Sequence, residues 1–329
     1  MATTLLSAPA RRQFRGQLLR WFDREKRTLP WRGETDPYRI LVSEIMLQQT
    51  RVAVVKDRYT RFLRQFPSVF RLARARGESV LAAWSGLGYY RRARSLHAAA
   101  RSVREEGAFP GSAAELMQLP GIGRYTAAAV ASIAFGEAVA VVDGNVKRVL
   151  QRLSGSELSP DDYWHTAQDL LEERRPGDFN QAMMELGATV CLPGQPLCTR
   201  CPVSRFCASR GAQGKKRISN PRKKATLNYL LVLKDGAILL RQRPADVSLM
   251  PGMWELPPLR NKPADSSHPV LNLRHSITTT DYNILVFSCS RARLDAGTWV
   301  TLSSAHRLPL TGLTRKILGK LKSILSFGQ

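Results

Sequence analysis

The sequence predicts a mainly helical domain joined to a smaller domain that combines strands and helices. Up to about residue 208, amphipathic stretches of helical period recur between Gly and Pro residues, for example at 61–75 and 79–107. Residues 209–225 form a basic segment without apolar periodicity, as expected of a linker that lies along DNA. After this segment the pattern changes to short runs typical of strands. The predicted fold class is therefore all-α followed by α+β.

The composition indicates a polyanionic partner. The chain has 329 residues, with 50 Lys and Arg against 26 Asp and Glu, and a formal net charge of +24. Nucleic acid is the most frequent partner of proteins this basic. No apolar run approaches the roughly 18 residues that a membrane span needs, and the N-terminus lacks a signal-peptide core. We therefore expect a soluble, intracellular protein without membrane contact.

A tight turn precedes a helix of small residues at 119–130. Gly121 and Gly123 allow backbone conformations and close approaches that a side chain would prevent. Because the first N–H groups of a helix are free, its N-terminus can bind an anion, most commonly phosphate. A plain helix–turn–helix corner, with glycine present for packing, is equally compatible with this short motif.

Four cysteines lie close together in the sequence, at 191, 198, 201 and 207. They are separated by six, two and five residues, so only one pair has the spacing usual in structural zinc sites, and no His is near. In a reducing compartment such a group indicates a metal site rather than disulfides, and four thiolates suit a cubane iron–sulfur cluster. Cys289 stands apart on a predicted strand, where we expect a buried apolar residue.

Two carboxylates are set in apolar surroundings. Glu44 lies within the run 40–47, and burial there would raise its pKa, as a general acid requires. Asp143 follows the apolar run 138–142 and precedes a predicted helix. An exposed helix position for Glu44, and a helix-capping or turn position for Asp143, are the alternatives. One protonated and one ionised carboxyl group are the pair that cleaves a glycosidic bond.

The smaller domain begins with a predicted hairpin. Residues 227–243 contain two strand-like runs around Asp235 and Gly236. Further strands are predicted at 283–290 and 298–302, and a short helix at 313–325 ends the pattern.

Together these segments identify a family resemblance. The motifs LPWR, DPYRILVSEIMLQQTRV, GLGYYRRARSLH, LPGIGRYTAAAVASIAFG, VDGNVKRVL and FNQAMMELGATVC, with the cysteine set, resemble the MutY-type adenine DNA glycosylases of the endonuclease III-like superfamily. The resemblance is dense over about 28–208. It implies a helix-hairpin-helix glycosylase fold with an iron–sulfur cluster loop and a Nudix-like C-terminal domain. The implied domains are 1–27 with 141–208 (cluster), 28–140 (six-helix helix-hairpin-helix), 209–225 (linker) and 226–329 (Nudix-like lesion recognition).

The resemblance implies removal of adenine mispaired with 8-oxoguanine or guanine, after the base is flipped out of the duplex. Glu44 would protonate the adenine and Asp143 would stabilise the sugar cation, with Tyr125 and Asn145 beside them. The implied cofactor is one 4Fe-4S cluster on Cys191, Cys198, Cys201 and Cys207. The implied partner is double-stranded DNA with the mismatch, bound by a cytoplasmic, nucleoid-associated monomer.

Further roles follow from the resemblance alone. Arg32 and Glu185 match residues that hold the adenine edge, Gln49 and Tyr89 match side chains that wedge into the duplex, and the turn with Gly121 and Gly123 would bind phosphate.

Related endonuclease III enzymes have a lysine in place of Tyr125. A phenol cannot form a Schiff base, so we expect a monofunctional, hydrolytic enzyme, with Lys147 the one nearby amine for weak trapping. The alternatives are a bifunctional glycosylase/lyase and a non-catalytic iron–sulfur DNA-binding protein.

The C-terminal segment 239–257 resembles the start of a Nudix domain. Nudix hydrolysis needs several glutamates to hold Mg²⁺, and Glu255 is the only glutamate after residue 225, so a binding module is expected. In the family a loop that is often Phe-Ser-His reads the 8-oxoguanine. Leu273, Arg274 and His275 match it here with only the histidine retained, and an ordinary surface histidine is the alternative.

Overall fold

The structure is a computed structural model that describes residues 5–210, 221–247, 249–259, 268–277, 279–288 and 297–325. The chain divides into two compact units, which we describe separately. The first unit contains Met1–Arg74 and Ser95–Arg217, and the second contains Ala75–Arg94 and Ile218–Gln329. Within the described residues, no helix is long and apolar enough to span a membrane.

Eleven α-helices precede the cysteine loop in the described part of the chain: α1 (Ala8–Glu25), α2 (Pro37–Leu47), α3 (Val52–Gln65), α4 (Val69–Ala73), α5 (Gly77–Ala83), α6 (Arg91–Glu106), α7 (Ala113–Leu116), α8 (Arg124–Ala134), α9 (Gly144–Ser154), α10 (Pro160–Leu170) and α11 (Pro176–Thr189). Two short 3₁₀ helices follow, at Cys198–Arg200 and Ser204–Phe206. The predicted helical character of this region is confirmed. The breaks fall at Pro67, which separates α3 from α4, and at Gly86 and Gly88, which separate α5 from α6.

The core of the first unit forms where α1, α9, α10 and α11 pack together. Phe14, Leu18 and Phe22 of α1 are fully buried against apolar residues of the other three helices. The Phe14 ring lies 6.3 Å from the Phe179 ring and 5.7 Å from the Phe206 ring, measured between centroids. Burying large side chains in this way stabilises a domain by about 1.5–3 kcal/mol per side chain. This packing holds the start of α9 against α11.

The second unit is built on two sheets. The strands are β1 (Lys223–Leu231), β2 (Leu233–Lys234), β3 (Ala237–Gln242), β4 (Trp254–Glu255), β5 (Pro258–Leu259), β6 (Leu271–Ile277), β7 (Thr280–Ser288) and β8 (Thr298–Thr301), with α12 (Leu302–Ala305) and α13 (Gly312–Leu325) after them. One sheet has the order β5-β1-β7-β6, in which β1 and β7 are parallel. In the other, β3 pairs with β2, β4 and β8.

The α+β character of this unit and its first hairpin are confirmed. β2 and β3 pair antiparallel, with Leu233 opposite Ile238, around the predicted turn at Asp235 and Gly236. The core consists of alternate residues of β1, β3, β6 and β7 together with one face of α13, including Ile284, Val286 and Ile317, which are fully buried. Period-two patterns in the strands and a helical pattern in α13 therefore meet in one core.

The C-terminal bound of the predicted linker changes, and one further prediction falls outside the described residues. The predicted linker 209–225 is too long at its C-terminal end, because β1 begins at Lys223 and its first residue pairs with Thr280 of β7. The basic side chains at 222–224 resemble those of the linker, so composition assigned them to it. Strand pairing depends on backbone hydrogen bonds, which composition does not show. Cys289, predicted to be a buried strand residue, lies outside the described residues.

The segment 75–94 groups with the C-terminal residues, whereas the sequence division placed it within 28–140. The Tyr90 hydroxyl donates a hydrogen bond of 3.4 Å to the Leu310 carbonyl, and the Arg94 guanidinium donates to the Pro251 carbonyl. Both contacts join residues more than 150 positions apart in the sequence. Local sequence patterns contain no information about such contacts.

Candidate active site

One pocket of about 490 Å³ in the first unit brings together most of the predicted catalytic and substrate-binding residues. It is lined by Glu44 and Leu47 of α2, by the following residues 48–50, by Tyr125, by the start of α9 and by one face of α11. Seven predicted residues lie on its wall: Arg32, Glu44, Gln49, Tyr125, Asp143, Asn145 and Glu185. A pocket with several convergent polar groups is a candidate active site.

Glu44 lies in the middle of α2 and is 5% exposed. Asp36 caps the N-terminus of α2 by accepting from the backbone N–H of Tyr38, and six apolar residues in the helix are buried with Glu44. Burial raises the pKa of Glu44 to about 7, because a carboxylate loses its hydration there. The alternative of an exposed helix position is wrong for this residue.

Tyr125 is the second residue of α8, and its hydroxyl donates a 2.6 Å hydrogen bond to Oε2 of Glu44. Burial raises the pKa of Tyr125 well above its usual range, and the nearby carboxylates Glu44 and Asp143 add to the increase. The phenol is therefore a permanent hydrogen-bond donor at neutral pH. Its position at the start of α8 follows from the turn that ends at Gly123.

Asp143 caps the N-terminus of α9, as the alternative interpretation predicted, and it also faces the pocket. Its Oδ1 accepts from the backbone N–H of Val146 at 2.7 Å, and its Oδ2 accepts from the Asn145 amide at 2.9 Å. Burial raises the pKa of Asp143, while these hydrogen bonds oppose the increase by stabilising the carboxylate. Capping fixes one oxygen on the backbone and leaves the carboxylate held at the pocket wall.

The Asn145 amide is oriented by Arg148. The Arg148 guanidinium donates to Oδ1 of Asn145 at 2.8 Å and to the Gly187 carbonyl at 2.6 Å. Since Oδ1 accepts this bond, the amide nitrogen of Asn145 is the atom left to donate to Asp143.

Two arginines and the Glu185 carboxylate form a charged cluster on the pocket wall. Oε2 of Glu185 accepts from Arg32 at 2.8 Å and from Arg27 at 3.0 Å, and Oε1 accepts from Nε of Arg27 at 2.5 Å. Arg32 also donates to Gln181. Its Nε is buried with no hydrogen-bond partner among the described residues, so one donor of this guanidinium remains for a bound molecule.

Sequence reasoning missed three residues of this wall: Arg27, Trp31 and Gln181. Two of them lay within quoted motifs, Trp31 beside Arg32 and Gln181 one helical turn before Glu185. The i, i+4 spacing of Gln181 and Glu185 on a helix was a usable signal. Arg27 had none, because its contact with Glu185 joins residues 158 positions apart.

The turn before α8 lies beside the pocket residue Tyr125. Gly121 has φ of +75°, and a side chain there would approach Ser95 to 2.4 Å, so glycine is required. Gly123 does not need to be glycine on these grounds, which differs from the expectation. Its φ is −96°, and an added Cβ would meet no atom within 4 Å. Gly123 is the N-terminal capping residue of α8. The next residue, Arg124, is exposed with its guanidinium 4.0 Å from the Trp164 ring centre.

The predicted wedge residues share an unusual backbone conformation. Gln49 has φ of +54° and Tyr89 has φ of +47°, and both side chains are exposed. Left-handed conformations are uncommon outside glycine and often mark functional positions. Gln49 lines the pocket of the first unit, and Tyr89 belongs to the second unit.

His275 does not lie in a loop, which corrects the prediction for 273–275. These residues belong to β6, where Leu273 is buried and His275 pairs with Tyr282 of β7. Alternation along the strand sends Leu273 and His275 to the same face. Within the second unit His275 and Tyr89 line one pocket of about 460 Å³. Burial lowers the pKa of His275, and the charge of Lys316 lowers it further.

The four predicted metal ligands follow α11 and surround the two 3₁₀ helices. All four are free thiols; Cys191 is buried and the other three are half-buried. Burial raises the pKa of Cys201 to about 11, with smaller increases from the other three cysteines. Among the described residues, no three His, Cys, Asp or Glu side chains converge closely enough to bind one metal ion.

The model of the HhH-GPD superfamily of base excision DNA repair proteins matches residues 42–175. A thermostable thymine-DNA glycosylase of known structure is 31% identical, with a TM-score of 0.58, and the match covers 61% of this chain and 97% of that one. The chain belongs to the HhH-GPD superfamily of base excision DNA repair proteins. The helical fold of the first unit is the one this superfamily shares.

Several relatives carry the name adenine DNA glycosylase, which confirms the resemblance to MutY-type glycosylases. The human protein is 51% identical over 214 residues, which are 60% of this chain and 39% of the relative. The Arabidopsis thaliana protein is 38% identical over 317 residues, which are 80% of this chain and 50% of the relative. The chain thus spans half or less of the length of these two relatives.

Proposed function

We propose that this chain is an adenine DNA glycosylase that hydrolyses the N-glycosidic bond of adenine mispaired with 8-oxoguanine or guanine. The observation that carries the proposal is the pair of carboxyl groups in one pocket, with Glu44 buried and half-protonated near pH 7 and Asp143 held at the start of α9. The names of the two relatives support adenine as the base.

Base binding precedes the chemistry. The target bond is inaccessible inside a base stack, so the nucleotide must leave the duplex and enter the pocket. Arg32, Gln181 and Glu185 would contact the adenine edge. Because Glu185 already accepts from two arginines, the unpartnered Nε of Arg32 is the donor that we assign to a ring nitrogen of the base.

Glu44 then acts as the general acid. With a pKa of about 7, a large fraction of the carboxyl group is protonated at neutral pH, as efficient proton transfer requires. The proton passes to a ring nitrogen of adenine while the bond between that base and the sugar carbon breaks, with its electron pair leaving on the base. Adenine thus departs as a neutral molecule.

Asp143 stabilises the cation that remains. Its carboxylate, held by Asn145 and by the backbone of Val146, faces the positive charge that develops on the sugar. Water adds to the sugar carbon and loses its proton to the deprotonated Glu44. The products are free adenine and an abasic site.

A hydrolytic outcome follows from the residue at position 125. A lysine amine would attack the sugar carbon and lead to strand cleavage, whereas the Tyr125 phenol cannot form an imine. The candidate amine Lys147 lies one turn beyond Asp143 on α9, with its ammonium 5.6 Å from the Tyr163 ring centre. We therefore propose a monofunctional enzyme with no committed lyase step.

Duplex DNA is the proposed partner. A net charge of +24 supplies sequence-independent affinity for phosphates. The turn at Gly121 presents the N-terminus of α8, and the exposed Arg124 beside it is held over Trp164, which suits contact with a phosphodiester. Gln49 and Tyr89 are proposed as side chains that wedge into the duplex.

The cysteine set fits a 4Fe-4S cluster. Four free thiols within 17 residues (191–207) are the donor set that this cluster requires. Cys191, Cys198, Cys201 and Cys207 would hold the cluster. When bound, it would cross-link the loop after α11; the excision steps above use only side chains of the pocket.

We propose that the second unit is a Nudix-like domain that reads the base opposite adenine. Glu255 is 6% exposed and forms a 2.7 Å ion pair with Arg243, which leaves no carboxylate set for Mg²⁺-dependent hydrolysis among the described residues. The pocket that His275 and Tyr89 share, with Arg91 and Arg94 also on its wall, is the proposed site for the oxidised guanine.

The test is base release from a duplex with one adenine opposite 8-oxoguanine, resolved with and without alkali. Glu44→Gln and Asp143→Asn should lose at least about 100-fold in rate, because general acid catalysis and electrostatic stabilisation each supply this much, while binding to the duplex persists. Glu105→Gln, on the exposed end of α6, is the matched control. Near-normal release by either pocket variant would contradict the assignment, and strand cleavage by the wild type without alkali would indicate the bifunctional alternative.

A further inference from the structure

The segment that delivers Asp143 to the pocket has no strand or helix of its own. Residues 136–143 connect α8 to α9, and 140–142 are buried. Buried backbone N–H and C=O groups need partners, because each unsatisfied group costs free energy comparable to a lost hydrogen bond. In a strand, a neighbouring backbone would supply these partners.

Here two side-chain amides take the place of a neighbouring strand. Gln168 of α10 accepts from the N–H of Ala140 at 2.8 Å and donates to the carbonyl of Ala138 at 2.8 Å. Asn180 of α11 accepts from the N–H of Val141 at 3.0 Å and donates to the carbonyl of Val139 at 2.8 Å. An amide side chain carries the same donor and acceptor as a peptide group, so each one pairs with the segment as a strand would.

Asn180 is the more deeply placed of the two. It is 2% exposed, and its amide nitrogen also donates to the Ser132 hydroxyl of α8 at 3.0 Å. Its amide thus joins the C-terminal part of α8 to the segment that ends at Asp143. Tyr125 is on the same α8, so this one side chain links the two elements that carry the hydroxyl donor and the carboxylate.

The same face of α11 meets the other parts of the site. Asn180, Met184 and Gly187 are spaced i, i+4 and i+7, which places them along one face of the helix. The Met184 sulfur accepts from the Tyr125 hydroxyl at 3.4 Å. Gly187 packs so closely on α9 that an added Cβ would approach that of Asn145 to 2.6 Å. One helix face therefore contacts the segment before Asp143, the tyrosine and the residue that donates to Asp143.

We propose that Asn180 and Gln168 are positioning residues for Asp143, acting through the backbone of 138–141. The proposal rests on the proposed glycosylase function for its kinetic consequence. Neither side chain lines the pocket, so neither contacts substrate. Loss of their bonds frees the segment, and a displacement of about 1 Å in a reacting group can cost about 100-fold in rate.

The test uses the full chain with Asn180→Leu and Gln168→Met, which keep the size of the side chains and remove the amides. Single-turnover titration with excess enzyme on a duplex containing adenine opposite 8-oxoguanine gives the maximal rate and the half-saturating concentration separately. We expect Asn180→Leu to lower the maximal rate at least about 30-fold and Gln168→Met to lower it about 3- to 10-fold. These losses correspond to displacements of Asp143 smaller than the 1 Å that costs about 100-fold. Half-saturating concentrations should stay within about twofold, because the DNA contacts are unchanged.

Controls separate positioning from stability. Leu72→Ala opens a cavity at a fully buried residue of α4 that does not line the pocket, and Gln151→Met removes an exposed amide from α9. A merely destabilised enzyme has fewer active molecules but the same maximal rate per active molecule when enzyme is in excess. An equal loss of maximal rate in Leu72→Ala, or none in both amide variants, would overturn the proposal.

A measurement independent of activity completes the design. Hydrogen exchange of the wild type should show protected amides at Ala140 and Val141, with faster exchange at Ala140 in Gln168→Met and at Val141 in Asn180→Leu, while 126–131 of α8 stay protected. Unchanged exchange at both amides would overturn the proposal. If the wild type releases no adenine, the proposed glycosylase function is wrong. The exchange result still decides whether Asn180 and Gln168 hold the backbone of 138–141.

Discussion

The Tyr125 hydroxyl and the Glu44 carboxyl group form a 2.6 Å hydrogen bond inside the pocket of the first unit. Burial raises the pKa of Glu44, and this bond opposes the increase because it stabilises the carboxylate form. The charge of Asp143 raises the pKa further and the charge of Arg32 lowers it, and the value of about 7 is the balance of these four effects. A phenol that never ionises at neutral pH thus sets the acidity of its neighbour without entering the reaction.

Tyr125→Phe should move the alkaline limb of the pH–rate profile to higher pH. Removing the donor removes a stabilisation of the carboxylate, so the pKa of Glu44 rises further. A hydrogen bond to a charged group contributes about 1.5–3 kcal/mol, or about 1–2 pH units. Single-turnover rates between pH 5 and 10 measure the shift. Tyr163→Phe, on α10, is the control, and a shift to lower pH in Tyr125→Phe would contradict the role of the bond.

Glu44→Gln should stabilise the protein at neutral and alkaline pH. The folded-state pKa of about 7 exceeds the ordinary value of 4.5, so stability from this group is fully present below about pH 4.5 and is lost as pH rises towards 7. The loss at higher pH is about 3 kcal/mol, from 1.36 kcal/mol per unit. Urea unfolding at pH 5 and pH 8 checks this. The variant should gain over the wild type at pH 8 more than at pH 5; equal differences would mean that Glu44 has an ordinary pKa.

Tyr125→Lys should gain strand cleavage. The new amine, at the start of α8, would lie near Asp143. There it can attack the sugar carbon and form a Schiff base that borohydride traps. Denaturing electrophoresis without alkali, and detection of the covalent adduct after borohydride, measure the gain. Arg124→Lys supplies the control, since it places an amine on the exposed side of the same helical turn. Cleavage by the wild type as fast as it releases base would show that the monofunctional assignment is wrong.

His275→Ala should weaken the preference for 8-oxoguanine over guanine opposite adenine. Burial and Lys316 lower the pKa of His275, so the imidazole is neutral at pH 7 and can donate one hydrogen bond into the pocket that it shares with Tyr89. Loss of one such bond costs about 1–2 kcal/mol, or about 5- to 30-fold in the ratio of the two excision efficiencies. The exposed His306 provides the control variant. An equal loss on both duplexes would make His275 a general DNA contact.

The purified protein should contain about four irons and absorb broadly near 400 nm, as expected of a cubane cluster on four cysteines. Cys198→Ser should lose iron, whereas Cys289→Ser, outside the set, should retain it. Metal analysis and the absorption spectrum measure both. Stoichiometric zinc without iron would rule out the cluster.

Much of the site was predictable because the sequence neighbours of these residues indicate their environment. Glu44 was found from the apolar residues around it, and Asp143 from its position between an apolar run and a helix. The cysteine set was predicted from its spacing and stays a prediction. Local patterns gave no indication of the positive φ of Gln49 and Tyr89. The strand that contains His275 was missed because residues 273–275 were matched to a family loop, although Leu271, Leu273 and Ile277 show period-two alternation.

By itself the sequence determined the helical and mixed units, the start of α8 at the glycine turn, and the residue types available for acid catalysis. These depend on periodicity and on neighbours within a few positions, which act through local sterics and hydrogen bonding. Only the tertiary structure decided that Tyr125 bonds to Glu44, 81 positions away, that Arg27 and Arg32 hold Glu185, and that Asn180 and Gln168 pair with the segment before Asp143. Such contacts depend on how helices pack, and packing is set by the summed burial of side chains from distant parts of the chain.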